Sequence, residues 1–523
     1  MPAPYELDDS SVVVIIGSGA GGGTLANELA QQGVDVVVLE AGGRLSSADF
    51  INDDMAMFGM FSWLDERTTS GNWSVGQTSP GLPVWICKGV GGTTLHWAGC
   101  ALRFQPHEFK SLTTYGAISG ASIMDWPIDY DELSPWYDRA EDKMGVTGTH
   151  GIPHLPVNNN GKVMYAGAEA VGYTDVGQTH MAINSEPRDG RPGCQQAGFC
   201  VQGCTFQAKW TTLYTEIPAA ERTGLCEVRA NAHVLRIEHD DNGRATGVVY
   251  VDAEGNEQRQ SARAVCVAAN SIESPRLLLN STSSMFPDGL ANSSGQVGRN
   301  YTRHVSGSVF AVFDKPVNAY RGTTQSTYIK DEAPHDASRG FAAGYLMELI
   351  SLNLPALAAN FAPGKWGREY ASLLDSYDHL AGLWIVGEDL SVESNAITLH
   401  SERRDQFGMP IANVHSDDHP NDLALQEHGY RQAEEMYRAI GATRTFRVPP
   451  FPASHNMGTN RMADNPRDGV VNRYGRTHDV DNLFISDGSQ FTSSGAENPT
   501  LTIVALAIRQ ADHIVGLMNR REL

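Results

Sequence analysis

Positive charge is scarce in this chain. Thirty-nine Lys and Arg stand against 61 Asp and Glu, a formal net charge of −22 at pH 7. That balance argues against nucleic acid as a partner, because such binding runs through cationic contacts with phosphates. Neither Lys nor Arg occurs between Met1 and Gly43, so the basic start of a secretory signal is missing, and the apolar stretch VVVIIG is too short to serve as its core. No uninterrupted apolar run approaches the roughly 18 residues of a membrane span, and no transmembrane segment is expected. Aromatic residues make up only 8% of the chain. Seven cysteines in 523 residues is an odd number spread thinly, which does not describe a disulfide framework. Internal repeats and low-complexity tracts are also lacking.

Glycine is what the chain has in excess, with 53 residues against a typical share of about 7%. Many tight turns and close backbone approaches to a ligand are expected. The length predicts two or three structural units.

The first glycine cluster lies in SSVVVIIGSGAGGGTLANELAQQGVDVVVLEAGG. A buried-strand run precedes Gly17, Gly19 and Gly22 at GxGxxG spacing; an Ala/Leu-rich helix follows, then a second strand ending at Glu40. Gly17 permits the turn, Gly19 lets the backbone approach a pyrophosphate, and Gly22 lets helix and strand pack closely. Glu40 is placed to accept hydrogen bonds from a ribose hydroxyl. The motif predicts a dinucleotide site without choosing between NAD and FAD.

Two further segments favour FAD. WICKGVGGTTLHWAG holds Gly89, Gly91 and Gly92 ahead of Thr93, His96 and Trp97, a second loop on which a flat cofactor can lie. NLFISDGSQFTSSGAENPTLTIVALAIRQADHI pairs an apolar strand ending at Asp487 with a helix predicted to begin near Pro499. Between them, VRANAHVLRIEHD and RATGVVYVDAEGN alternate as hairpin strands, as do the halves of ITLHSERRDQFGMPIANVHS. NDLALQEHGYRQAEEMYRAIGA predicts a helix capped by Asn421 and ending at Gly441.

These motifs, together with DWPIDYDELSPWYDRAE, ARAVCVAANSIESPRLLL, VGRNYTRH, HNMGTNRM and GAENPT, resemble the glucose-methanol-choline (GMC) oxidoreductases over nearly the whole chain. The resemblance implies an α/β fold: a discontinuous Rossmann-like FAD-binding domain (residues 8–105, 205–305 and 450–523), a loop-rich segment (106–204) and an antiparallel-sheet substrate domain (306–449). It implies cofactor contacts at Ser18, Ala20, Ala41, Val234, Ala268, Gly488, Pro499 and Thr500 beside the glycines, Glu40 and Asp487. It also implies that His455 is the base and Asn498 the group that orients the substrate oxygen. A neutral histidine suits that task, since its ordinary pKa is about 6.5. At His96 two roles stay open: a covalent bond to the flavin 8α carbon, or packing against the isoalloxazine.

Cys194, Cys200 and Cys204 have the spacing C-x5-C-x3-C. An i, i+4 pair would put the last two sulfurs on one helix face. Three thiolates suit a 3Fe–4S cluster, since each ligates one iron; zinc completed by His180, a disulfide and plain buried thiols are the alternatives. Cys87, Cys100, Cys226 and Cys266 are expected to be small buried side chains.

The resulting expectation is an FAD-dependent dehydrogenase of a sugar or polyol hydroxyl that passes electrons through the cluster to an external acceptor. By resemblance, its partners would be a small signal-bearing subunit and a cytochrome c subunit, with co-export to the periplasm; without them the location would be cytoplasmic. An oxygen-reducing oxidase and a non-redox lyase are the rivals. Trp384 and Tyr345 are candidate specificity aromatics.

Overall fold

The computed structural model describes residues 5–353 and 366–523; within the expected insert 306–449, residues 354–365 lie outside the described residues. The apolar run at the amino terminus forms the strand Val13–Ile16, buried at every position. It pairs in parallel with Val36–Glu40 on one side and Ala264–Val267 on the other. Leu483–Ile485 and Cys226–Ala230 complete a five-stranded parallel sheet. Strands buried on both faces need apolar runs, which the other four segments hold, whereas Cys226–Ala230 lies at the sheet edge and carries Glu227 and Arg229. Strands from both ends of the chain and from its middle therefore share one sheet, and its helices Ala20–Gln31 and Thr500–Asn519 pack on each other.

The second layer is a six-stranded antiparallel sheet in the order Arg444–Val448, Val305–Val312, Leu380–Gly387, Tyr345–Leu349, Thr327–Ile329 and Val176–Gln178. One face, including Val309, Met347, Leu383 and Ile385, is packed with Leu425 and Met436 of helix Pro420–Ala439 and Met164 of helix Asn159–Val171. Because side chains alternate along a strand, Phe310, Ser308, Trp384 and Glu348 stand on the opposite face. Trp384 is paired with Ser308 on one side and Glu348 on the other. That face looks onto the cavity described below.

Residues 106–204 hold the helices Tyr130–Met144 and Asn159–Val171 as well as loops, and the strand Val176–Gln178 at the sheet edge. The predicted hairpins appear as His233–His239 with Ala245–Val251 and as Ala396–Arg404 with Pro410–His415.

Two expectations need correction. The helix assigned an Asn421 cap is capped by His419, whose Nδ1 accepts the Asn421 amide at 3.1 Å, with Pro420 in its first turn; proline needs no amide partner there, so the cap moves two residues back. Cys200 and Cys204 do not share an α-helical turn. Cys200–Gln202 is a 3₁₀ turn, ended by Gly203 (φ 90°) and Cys204 (φ 61°), both left-handed. Thr500–Asn519 is long and apolar enough to cross a membrane by length and composition alone, but 67% of its most apolar window is buried inside the fold, as in a core helix. Arg509 and Gln510 interrupt its apolar run, and both are buried here, with Gln510 bonding the carbonyls of Tyr474 and Ile485.

Candidate active site

A single cavity of about 460 Å³ runs between the two layers. Its walls include Gly17, Ser18, Gly19, Ala20, Glu40, Ala41, Gly92, Thr93, His96, Trp97, Val234, Ala268, Asp487, Gly488, Pro499 and Thr500, together with His455 and Asn498. Gly22, Gly89 and Gly91 stand behind that wall and shape it. A Cβ on Gly22 would lie 2.1 Å from the Gly17 carbonyl oxygen, so helix and strand can approach only without one. The Gly91 amide donates to Ser18 Oγ at 3.0 Å. A Cβ on Gly92 would fall 2.8 Å from Gly19 Cα, so the two glycine loops touch backbone to backbone, at the start of helix Ala20–Gln31.

Glu40 is buried and holds this loop in shape. Its Oε2 accepts the Ser18 amide and hydroxyl at 3.1 and 2.7 Å, and its Oε1 accepts the Gly42 amide at 2.9 Å. The Gly89 amide of the second glycine loop also hydrogen-bonds this carboxylate, so Glu40 joins both loops. Asp487 is similarly engaged, by Ser274 Oγ at 2.5 Å and the Asn270 and Ser489 amides at 3.0 and 2.8 Å. Burial raises both carboxyl groups above the ordinary range.

At the other part of the cavity His455 Nδ1 lies 2.9 Å from His304 Nδ1, and His304 Nε2 lies 3.3 Å from the Ser494 carbonyl oxygen. A carbonyl only accepts, so His304 carries its proton on Nε2 and its Nδ1 is a bare acceptor. His455 must then donate through Nδ1, which leaves its Nε2 as the basic nitrogen. Enclosure by protein, then the neighbouring His304 and His96, holds His455 well below 6.5, so it is neutral. Burial likewise pushes His304 down to about 4 and His96 to about 3. His96 stacks on Trp85 at 4.1 Å, and its buried Nε2 has no hydrogen-bond partner.

Asn498 donates through Nδ2 to Glu348 Oε2 at 3.2 Å, while its own Oδ1 is buried without a hydrogen-bond partner. Trp384 stands 5.5 Å from the His455 ring and lines the cavity with Phe310 and Phe451. Tyr345 does not: it is fully buried on the other face of the sheet, bonded to His428 Nδ1 at 2.8 Å.

Cys194, Cys200 and Cys204 are free thiols that share one apolar cluster with Cys100, Leu155, Met181 and Ile183. Burial pushes Cys194 up to about 12, with smaller contributions from the charges that Cys200 and Cys204 would carry. Among the described residues, the group of three or more metal-binding side chains with ligand atoms within 4.8 Å is Asp138, Glu141 and His150; the three sulfurs are not gathered that tightly. His180 is turned elsewhere, its Nδ1 on the Thr147 carbonyl at 2.9 Å.

Beside these thiols lies Lys209, which the sequence reading did not single out. It is 0% exposed, and its Nζ donates to the carbonyls of Leu95, Trp97 and Cys200 at 3.0, 2.7 and 2.6 Å. It ties the second glycine loop to the cysteine turn. Burial lowers it to about 8, and the groups that favour its charge are Cys204, Cys200 and Cys87 rather than any carboxylate. His304, Trp85 and Glu348 were also missed; the glutamate alone in the apolar run YLMELI was the one available signal.

Comparison with known proteins places this arrangement. Residues 40–306 and 391–507 match two models described as GMC oxidoreductase, and residues 15–59 match an NAD(P)-binding Rossmann-like domain. The chain is 34% identical to 2-methyl-1,2-propanediol dehydrogenase of Mycolicibacterium austroafricanum, over 97% of this chain and 95% of that one. It is 30% identical to the fructose dehydrogenase large subunit of Gluconobacter japonicus, over 97% and 98%, and 30% identical to paromamine 6'-oxidase of Streptomyces fradiae, over 97% and 92%. Among solved structures it is similar to formate oxidase of Aspergillus oryzae, with a TM-score of 0.67 and 17% identity over 98% of this chain and 99% of that one.

Proposed function

The chain belongs to the GMC oxidoreductase family, and from that premise we propose that it is an FAD-dependent dehydrogenase of a hydroxyl on a sugar or sugar derivative, with His455 as base. The observation that carries this is the pairing of His455 and His304, which leaves one basic nitrogen on a cavity wall shared with the phosphate loop and Asn498. The discontinuous domain 8–105, 205–305 and 450–523 would hold FAD, and the face of the insert 306–449 that carries Trp384 would meet the substrate.

FAD fits the residues present, and it would supply the hydride acceptor. The glycine contacts at Gly17, Gly19 and Gly92 leave room for backbone to meet a pyrophosphate, Glu40 lines the same cavity where a ribose would lie, and the Nε2 of His96, whose ring stacks on Trp85, has no partner within the protein. That nitrogen is the one a covalent bond to the 8α carbon would use. Yellow colour pelleted by acid assigns that bond; yellow left in solution assigns His96 to packing.

His455 takes the hydroxyl proton on Nε2 while His304 holds its ring, and Asn498 orients the substrate oxygen. Apolar walls at Phe310, Phe451 and Trp384 exclude water from the reacting carbon.

Cys194, Cys200 and Cys204 would hold a 3Fe–4S cluster, which would supply a one-electron exit to an external acceptor such as cytochrome c. Support comes from the donor set: three free thiols that share one apolar cluster, enough to ligate three irons once each. Lys209 supplies the positive charge such a thiolate site needs. The relative named as a large subunit supports further subunits as partners; a small signal-bearing subunit, a cytochrome c subunit and work in the periplasm are what the family resemblance implies for them.

Anaerobic titration with a panel of sugars and polyols tests the reading. Bleaching of the flavin by one substrate class without peroxide formation in air supports it. Stoichiometric peroxide makes the protein an oxidase, and a flavin that stays oxidised with every hydroxyl compound leaves the lyase reading.

A further inference from the structure

Glu348 takes no part in the chemistry described so far, yet Asn498 is bonded to it. It stands directly opposite Trp384 on the cavity face of the sheet and is 0% exposed. Its Oε2 accepts Asn498 Nδ2 and Gln325 Nε2, each at 3.2 Å, and its Oε1 makes no hydrogen bond. The two amides are not equivalent. Gln325 Oε1 has the Cys100 thiol beside it at 3.3 Å, a weak donor that favours keeping its amino group toward Glu348. Asn498 Oδ1 is uncommitted, so Asn498 is the freer of the two to turn over.

We propose that Glu348 is a positioning residue, whose proton decides which end of the Asn498 amide meets the substrate hydroxyl. This rests on the alcohol-oxidation reading and deepens it. An ionised carboxylate can only accept, so it claims the Asn498 amino group and leaves Oδ1 for the cavity. A protonated Glu348 has a hydrogen to give; Asn498 then turns, accepts it through Oδ1 and presents Nδ2–H to the substrate. As His455 draws the proton away, negative charge grows on the substrate oxygen, which a donor stabilises and a carbonyl repels. The protonated form is therefore the working one.

The surroundings keep both forms within reach of neutral pH. Burial raises Glu348 to about 7, helped by the Glu497 charge and opposed by Asn498, Lys330 and Cys100. Lys330 cannot pair fully with it, because its ammonium is engaged by Glu497 Oε1 at 3.2 Å.

The test is the pH profile of anaerobic flavin reduction at limiting substrate, over roughly pH 5 to 9. The wild type should lose rate, about tenfold or more, as pH rises through a midpoint near 7. In Glu348→Gln, which cannot ionise and offers Asn498 an amino donor, that fall should vanish while the low-pH rate stays within about threefold. The component of the buried carboxylic acid infrared band that Glu348→Gln loses and Glu388→Gln keeps, read without substrate, should titrate with the same midpoint. Glu388→Gln is the control, because burial raises that carboxyl to about 7 as well, and it should leave the rate profile unchanged. A fall that persists in Glu348→Gln, a flat wild-type profile, or a carboxyl titration that does not coincide with the rate overturns the inference. Should Glu348→Gln not fold, the infrared component that survives in Glu388→Gln still decides it, by titrating with the rate or apart from it. Wild-type flavin that no hydroxyl compound reduces at any pH defeats the functional reading itself, whatever Glu348 does in the infrared.

Discussion

Nδ1 of His455 and Nδ1 of His304 are 2.9 Å apart, with the two rings nearly perpendicular at 86°. The contact fixes the tautomer and the aim of the base in one step. His455→Ala should keep bound FAD and lose flavin reduction by about 10²–10⁴-fold. His304→Ala should keep the base but release its ring, with a smaller loss of about tenfold to a hundredfold. Rapid mixing with substrate under argon measures both; unchanged reduction in His455→Ala removes it from its role.

The acid side of the rate profile should lie far from that of an ordinary histidine. His455 must be unprotonated to act, and its enclosure and the neighbouring imidazoles hold it well below 6.5. Lowering the pH through 6.5 should therefore cost little rate, with the decline beginning only at clearly more acid values. An acid limb centred at 6.5 or above in kcat/KM would contradict the enclosed geometry.

Gly17 should not tolerate a side chain. It has φ 96°, and a Cβ there would lie 2.4 Å from the Ala268 carbonyl oxygen. A left-handed alanine costs on the order of 1–2 kcal/mol by itself, and the clash with backbone adds to it. Gly17→Ala should fold with a depleted flavin-to-protein absorbance ratio; full occupancy would show that the loop can shift.

The cysteine turn makes an analytical prediction. Protein purified without oxygen should carry about three irons with acid-labile sulfide, and Cys200→Ser should lose them while keeping the flavin spectrum. Absence of iron and sulfide from the wild type returns the three thiols to a structural role.

Lys209→Met should be costly even without any metal. It strips a donor from the carbonyls of Leu95, Trp97 and Cys200 in a site with no water access. An unsatisfied buried carbonyl costs about 1–3 kcal/mol, so a loss of several kcal/mol is expected in urea unfolding. A change under about 1 kcal/mol would mean that other donors replace the ammonium.

Parts of this site are legible from residue order because they are local. Gly17, Gly19, Gly22 and Glu40 lie within one strand–helix–strand unit, and their spacing alone describes the loop they build. His455 and Asn498 were identified only through resemblance to a family. His304 lies 151 residues from His455 in the chain, and Glu348 lies 150 from Asn498; no periodicity links such pairs. Tyr345 and Trp384 looked alike as candidate aromatics, and only strand register separates them: Trp384 faces the cavity and Tyr345 faces the helices.

Residue order by itself determined the nucleotide loop, because left-handed φ and the missing Cβ of glycine act on the nearest few residues. It also singled out three cysteines that share one apolar cluster in the fold. Tertiary structure alone decided the state of each functional group: which nitrogen of His455 is basic, why Lys209 has no carboxylate beside it, and that Asn498 rests on a buried acid. Burial and distant partners set protonation and orientation, and both come into being only when the parallel and antiparallel sheets close over one cavity.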